Sequence, residues 1–318
     1  MFEERGLMFL YALSPVHMGA GQAIGVVDNP IQRERHTNHP IFAGSGIKGS
    51  LRDVFEMKKS KDLTVRVFGP EANASDHAGA VSFGDAQVVL FPVRSLRESY
   101  AYVTCPTALG RLKRAAEVCR VSLDWVVPQV EGDDHCLVGS GDCKLLVAGG
   151  EQARLVLETF EFKAKPNDEV AKIATWLADK ALPEDGAYAY FREKVKRDLV
   201  VLTDTRFKYY VENATSVEPH VRIADESGTA DEGGLFYTEN VPPEALFVSV
   251  VLVSKERVKK GEGKGEEKNN KEKQMLSEEI LEHLREALHH QVVQIGGDAT
   301  NGRGLVTVSL IFGNKGGA

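Results

Sequence analysis

One carboxylate stands out early in the chain. In "IGVVDNPIQRERHTNHP", residues 24–40, Asp28 lies between a glycine-rich stretch and a dense run of Arg, Glu and His. An ionised carboxylate can accept a proton or hold a divalent cation. It can equally close an Asx-type turn, which Asp before Asn29–Pro30 favours. A second constellation follows at "FAGSGIKGSLRDVFEM". Gly44, Ser45 and Gly46 lead into a helix whose unpaired N–H groups would face an anion. Lys48 and Arg52, four residues apart, share one face of that helix. A third is "GGDATNGRG", 296–304, which opens onto a strand and so lacks the setting of a dinucleotide fingerprint. Its amides, with Arg303, form either a phosphate-binding nest or a flexible hairpin turn. The chain has no Gly-x-x-x-x-Gly-Lys-Ser/Thr, His-Glu-x-x-His or Gly-x-Ser-x-Gly motif. Asp133, His135, Cys136 and Cys143 invite a metal reading, but their spacing matches no common zinc site.

The elements that must position these residues are readable in part. In "LMFLYALSP", Leu7, Phe9 and Tyr11 fall on one face and Met8, Leu10 and Ala12 on the other. A strand with two apolar faces is central and covered on both sides. Ile47, Leu51, Val54 and Phe55 make a helical stripe. "GAVSFGDAQVVLFPV" predicts a strand interrupted at Gly84–Asp85, and "CPTALGRLKRAAEVC" a helix opening at Pro106. Residues 121–183 mix short strand-like and helix-like pieces and read as an insertion. "LVVLTDTRFKYYV" begins an extended β-hairpin arm that runs through the Gly233–Gly234 pair. "ALFVSVVLV" is a buried strand, and "KERVKKGEGKGEEKNNKEKQ" a charged, low-complexity loop expected to be mobile. Ser277 is expected to cap a helix with stripe Leu281, Leu284, Leu288 and Val292. A last strand places Val306, Val308, Leu310 and Phe312 on one face. Strand–helix–strand at both ends suggests a split βαβ plan, hence an α+β fold with a ferredoxin-like or RRM-like core. The expected division is a palm at 1–95 and 244–318, including a flexible loop at 255–275. A mixed region would be inserted at 96–200 and an arm at 201–243.

The chain has 318 residues, 42% of them hydrophobic, which suffices for a sizeable core. Its net charge of −7 argues weakly against nucleic acid, although binding follows local potential and not the sum. Basic clusters occur at 58–61, 111–114 and 194–197 and read as solvated helix faces. No long apolar run suggests a membrane span, and "MFEERGLMFLYALSP" lacks the pattern of a signal peptide. A cytoplasmic location, with four reduced cysteines, is expected.

"SPVHMGAG", "PIQRE", "SGIKGSLR", "YVTCPTALGRL", "LFYTENVPPEALF" and "QIGGDATNGRG" together resemble the RAMP superfamily of CRISPR effectors. Within it, the resemblance is to the backbone subunits of type III-B (Cmr) complexes. It spans nearly the whole chain, least well over 121–183 and the charged loop. The resemblance implies a palm and a thumb-like β-hairpin, and copies stacked head to tail along a CRISPR guide RNA beside other Cmr subunits. It also implies cleavage of complementary target RNA at regular intervals with a divalent metal, Mg²⁺ or Mn²⁺. The family's catalytic aspartate precedes "PIQRE", which makes Asp28 the expected catalytic residue, as proton acceptor or metal ligand. His17 would orient or protonate near the scissile phosphate, and Glu239 is a second carboxylate at the base of the arm. Ser45, Gly46, Lys48 and Arg52 would follow guide phosphates, with Arg33, Arg35, Gly296, Gly297 and Arg303 as further RNA contacts. Phe207, Tyr209 and Tyr210 either wedge between bases or pack inside the arm. Two alternatives remain: a structural guide-binding subunit without nuclease activity, and a stand-alone guide-processing endoribonuclease.

Overall fold

A computed structural model describes residues 2–22, 25–71, 77–147, 153–184, 186–224, 226–257 and 274–313. The chain opens with β1 (Glu4–Ala12), a long loop, β2 (Ile41–Phe42), α1 (Gly44–Lys58) and α2 (Lys61–Phe68). β3 (Val81–Phe83), β4 (Ala86–Arg94), β5 (Tyr100–Thr104) and α3 (Pro106–Val118) follow. The middle holds β6 (His135–Val138), β7 (Arg154–Leu157), β8 (Phe160–Pro166), α4 (Asp168–Ala181), α5 (Ala189–Asp198) and β9 (Leu199–Val201). Then come α6 (Asp204–Asn213), β10 (Ser216–Ile223), β11 (Ala230–Asn240), β12 (Leu246–Val253), α7 (Ser277–Leu288), β13 (Val292–Gln294) and β14 (Leu305–Phe312).

Among the described residues, twelve strands form one mixed sheet whose main path is β13-β14-β1-β12-β4-β5-β9-β6-β8-β7. β10 and β11 form a separate two-stranded hairpin. β1 is central, paired antiparallel with β12 (Phe9 opposite Val248) and with β14 (Phe9 opposite Ser309). Its two apolar faces serve two cores, as the alternation predicts. Met8, Leu10 and Ala12 join Ile47, Leu51, Phe55 of α1 and Ile280, Leu284 of α7. Leu7, Phe9 and Tyr11 join Leu109, Leu112 of α3 and Ile173, Leu177 of α4. Every side chain of this strand from Leu7 to Ala12 is buried, so it anchors both layers. The break at Gly84–Asp85 separates β3 from β4, and Pro106 opens α3, both as expected.

Two expectations need correction. Residues 199–213 are not part of an extended arm. β9 lies inside the large sheet, parallel to β5, and 204–213 is helical. Thr203 Oγ1 accepts from Arg206 N–H as N-cap, and Phe207, Tyr210 and Val211 recur at i, i+3 and i+4 on the buried side. In α7 the cap is Leu276, whose N–H donates to the Glu279 carboxylate at 2.7 Å, and Ser277 is the first helical residue. Its buried stripe is Ile280, Leu284, Ala287 and Leu288; Val292 stands half exposed in β13. The charged loop expected to be mobile lies mostly, at 258–273, outside the described residues.

Candidate active site

The loop between β1 and β2 folds back onto the base of the hairpin. Val16 pairs antiparallel with Val241, and Asn29 pairs in parallel with Thr238. Asn29 N–H donates to the Tyr237 carbonyl at 3.0 Å, and Glu239 N–H donates to the Asn29 carbonyl at 3.0 Å. The loop thus adds an edge to β11, so residues more than two hundred positions apart in the chain meet. Asp28 closes the contact: its Oδ2 accepts the Tyr237 N–H at 2.7 Å. That bond fixes the carboxylate, while Oδ1 has no hydrogen bond among the described residues. Asp28 is partly exposed and lines a cleft of about 380 Å³ between the loop and the hairpin.

His17 is held at the foot of the same hairpin. Its Nδ1 donates to the Glu239 carbonyl at 2.7 Å, since a carbonyl only accepts. Nε2 is therefore the atom left for chemistry. A Cβ at Gly19 would come within 2.8 Å of that nitrogen, so only glycine leaves it room. The His17 carbonyl accepts from Gly297 N–H at 2.8 Å, and Gly304 N–H donates to the Pro15 carbonyl at 2.8 Å. The glycine loop after β13 is thus a bracket that holds the His17 segment. Gly297 does not offer its amide to a phosphate, because the bond to His17 uses it. Arg303 is committed as well, to Glu218 on β10. The nest expected from Gly296, Gly297 and Arg303 is corrected to a positioning device.

Glu239 is also reassigned. Its Oε1 accepts from Arg33 at 2.5 Å and from Thr215 Oγ1 at 2.8 Å, and its Oε2 accepts from Ile31 N–H at 3.1 Å. The residue is 6% exposed. A buried carboxylate with both oxygens engaged seats the hairpin and is poorly placed to meet a substrate. Arg33 is its partner and also donates to the Asn38 and Val211 carbonyls, so it is held away from RNA. Arg35 is exposed.

At the start of α1, Gly46 packs against Met18, so this helix end borders the His17 segment. Gly44 N–H is already capped by Asp85 Oδ1 at 2.8 Å, while Ser45 is exposed. Lys48 is half-buried, and its ammonium is held below its ordinary value by burial and by the charges of Arg52 and Arg257. Such a gathering of cations suits an anion. Arg52 itself turns inward, donating to the Gly69 carbonyl at 2.5 Å, with Glu71 3.5 Å away. Phe207 is fully buried, edge-on to His39 at 5.2 Å between centroids, so it has no face for a base. Tyr209 of α6, outside the hairpin, is 40% exposed and packs edge-on against Phe160 of β8.

Sequence reasoning missed the hairpin side of the cleft, Arg222 and Phe236. The signal was present in part: Glu218 and His220 share one face of β10 and Phe236 lies opposite His220 on β11, while Arg222 sits where the register shifts between Val221 and Ile223. Arg257 beside Lys48 was missed because it precedes the charged loop. All four cysteines are free and buried, and no group of three or more His, Cys, Asp or Glu among the described residues could hold a metal. No helix among them is long and apolar enough to cross a membrane.

A family model described as the RAMP superfamily matches residues 9–307. The chain is 33% identical over 309 residues to the CRISPR system Cmr endoribonuclease Cmr4 of Pyrococcus furiosus, covering 96% of this chain and 95% of that one. The crystal structure of oligomeric Cmr4 from Pyrococcus furiosus superposes with a TM-score of 0.69 at 26% identity, over 98% of this chain and 99% of that one. A chain of the type III-B Cmr-beta complex bound to cognate target RNA, seen by cryo-electron microscopy, superposes with a TM-score of 0.70. It covers 97% of this chain and 98% of the other at 20% identity, a likeness of fold alone.

Proposed function

Since this chain belongs to the RAMP superfamily, we propose that it is a guide-RNA-binding backbone subunit of a type III-B CRISPR complex and an endoribonuclease that cuts complementary target RNA. The observation that carries the reading is Asp28. Its carboxylate is fixed through one oxygen at the foot of the hairpin, and the other oxygen is open to a cleft. The reaction is attack of a ribose 2′-OH on the adjacent phosphate. The 2′-O–P bond forms, the P–O5′ bond breaks, and the products end in a 2′,3′-cyclic phosphate and a 5′-hydroxyl. Asp28 Oδ1 takes the 2′-OH proton, and His17, protonated at Nε2, gives one to the departing O5′. The hairpin supplies orientation by holding one nucleotide unstacked beside the carboxylate.

A divalent ion fits this site in one way. A single open carboxylate oxygen cannot cage a metal, but Mg²⁺ and Mn²⁺ settle for one or two carboxylates, a substrate phosphate and several waters. Asp28 Oδ1 would be the protein ligand in place of its role as proton acceptor, since one open oxygen cannot do both. When bound, such an ion stabilises negative charge on the phosphate.

The wider assignment follows the geometry. β14, β1, β12 and β4 lie in that order, each antiparallel to its neighbour, with α1 and α7 on one face. This arrangement supports a ferredoxin-like palm at 1–95 and 244–318, with 96–200 inserted and the hairpin as thumb. Lys48 and the exposed Ser45 support guide-phosphate contacts at the start of α1. Head-to-tail repetition of one contact gives an open filament, in keeping with the oligomeric relative and with further Cmr subunits at its ends. No membrane enters the reading, and the location we infer is cytoplasmic.

The test uses the complex assembled on guide RNA with a matched target. Asp28→Asn should leave target binding intact and slow cutting by about 10²–10⁴-fold, the usual worth of a general base. A target with 2′-deoxyribose at the cut positions should resist. Unchanged cutting by Asp28→Asn would overturn the assignment.

A further inference from the structure

The cleft beside Asp28 has two walls of different chemistry. The loop wall presents Asp28 with the carboxamides of Asn29 and Gln22; the hairpin wall presents Arg222 and Phe236. Its volume of about 380 Å³ falls in the range of small-ligand pockets. Among the described residues, Arg222 is the one cation in its lining. Glu218, the nearest acid before it on β10, is taken by Arg303, and among the described residues Arg222 has no ion pair. Phe236 is braced by His220, their rings stacked at 5.0 Å and 14°. Gly234 faces the stem of Arg222: a Cβ there would lie 3.0 Å from Arg222 Cβ, so glycine leaves that side chain its course.

A carboxylate that accepts the 2′-OH proton sits close to a phosphate of the same sign. Without a nearby cation, the two would repel, and the repulsion would grow as the phosphorus gains a fifth oxygen. A guanidinium meets this need with paired N–H donors that match two phosphate oxygens. We propose that Arg222 is a further catalytic residue, which binds the non-bridging oxygens of the scissile phosphate across the cleft from Asp28. This rests on the reading of Asp28 given above. Arg222 exchanges no proton; the 2′-OH proton goes to Asp28 and the leaving O5′ receives one from His17. Its part is to stabilise charge that develops in the transition state. Phe236 forms the apolar wall against which the unstacked nucleotide rests.

The experiment compares wild type, Arg222→Ala, Arg222→Lys and Asp28→Asn in the complex assembled on guide RNA. Arg222→Ala should bind target as wild type does and cut about 10²–10³-fold more slowly, the usual loss of one oxyanion donor. Arg222→Lys should recover part of the rate. A second readout separates contact from mere support of the fold. One phosphorothioate diastereomer at the cut site should slow wild type strongly and Arg222→Ala far less, because the contact it disturbs is already gone. Wild-type cutting by Arg222→Ala, equal sulfur sensitivity in the two proteins, or loss of target binding along with cutting would each overturn the role. If Asp28→Asn is dead and Arg222→Ala is normal, only Arg222 fails. If Asp28→Asn cuts normally, the reading of the site fails first.

Discussion

Glu239 and Asp28 are both acids at the foot of the hairpin, yet their surroundings assign them different work. Glu239 joins Arg33, Thr215 and the Ile31 amide in one buried knot. Removing it strands the Arg33 guanidinium, 15% exposed, without its counter-charge. Loss of one partner from such a pair costs about 3 kcal/mol or more. Glu239→Ala should therefore lower the thermal midpoint by several degrees and weaken cutting through the displaced hairpin. Asp28→Asn should leave the midpoint close to wild type. Thermal unfolding of the two variants beside wild type checks this; a Glu239→Ala protein of normal stability that cannot cut would return Glu239 to the chemistry. The positions of Asp28, His17 and Glu239 were legible in the sequence because short motifs carry them. The bond between Arg33 and Glu239 was not, since 206 residues separate them and neither local pattern names a partner.

The glycine loop between β13 and β14 shows what an element can hide. That it turns and opens onto a strand was legible from its composition. That it grips His17 was not, because the grip is made by backbone atoms. Gly296 and Gly302 both have φ of +76°, a region that strains any side chain. They differ in space. A Cβ at Gly296 would lie 2.3 Å from the His17 carbonyl oxygen, while one at Gly302 would meet nothing within 4 Å. Gly302→Ala should cost about 1–2 kcal/mol from backbone strain alone and keep its cutting rate. Gly296→Ala should cost more and cut at least tenfold more slowly, because His17 must shift. Denaturant unfolding with single-turnover cleavage distinguishes them, and equal cutting by both would show that the bracket is unnecessary. α6 was missed at this scale for a different reason. Its aromatic run imitates a strand, and the period that marks the helix shows only once Thr203 is recognised as a cap. The 121–183 region resisted because β6, β7 and β8 are short and find partners out of chain order.

At the scale of the molecule, the central sheet was legible because β1 is apolar on both faces. The sum of charge was a poor guide, since its basic clusters are largely spent on structure. Arg111 pairs with Glu34 at 2.9 Å and buried Lys194 with Asp198 at 2.7 Å; Lys59 meets Glu286. The same interior sets how the fold responds to acid. His39 is 4% exposed among Phe207 of α6, Arg111 of α3 and the carboxylates of Glu34, Asp204 and Glu212. Burial, with Arg111, pushes its imidazole down to about 4. Burial, with His290 and Arg285, does the same to His289, whose Nδ1 accepts the Leu310 N–H at 3.0 Å. In the unfolded chain both take a proton near 6.5, so the native state binds protons less readily there. The stability they contribute is complete above 6.5 and drains as pH falls through about 4. For His39 the loss is at most about 3 kcal/mol. Glu34, Asp204 and Glu256 are also held below their ordinary values, and their share is lost in more acid solution. Half-buried Glu244, held above its ordinary value by burial, titrates in the histidines' interval with the opposite sign, so the histidines' share is what a variant lacking them isolates. Wild-type thermal midpoints should fall across that interval, and His39→Gln with His289→Asn should flatten the fall while lowering the midpoint near neutrality. Parallel pH profiles for wild type and the double variant would show that neither imidazole couples folding to acid.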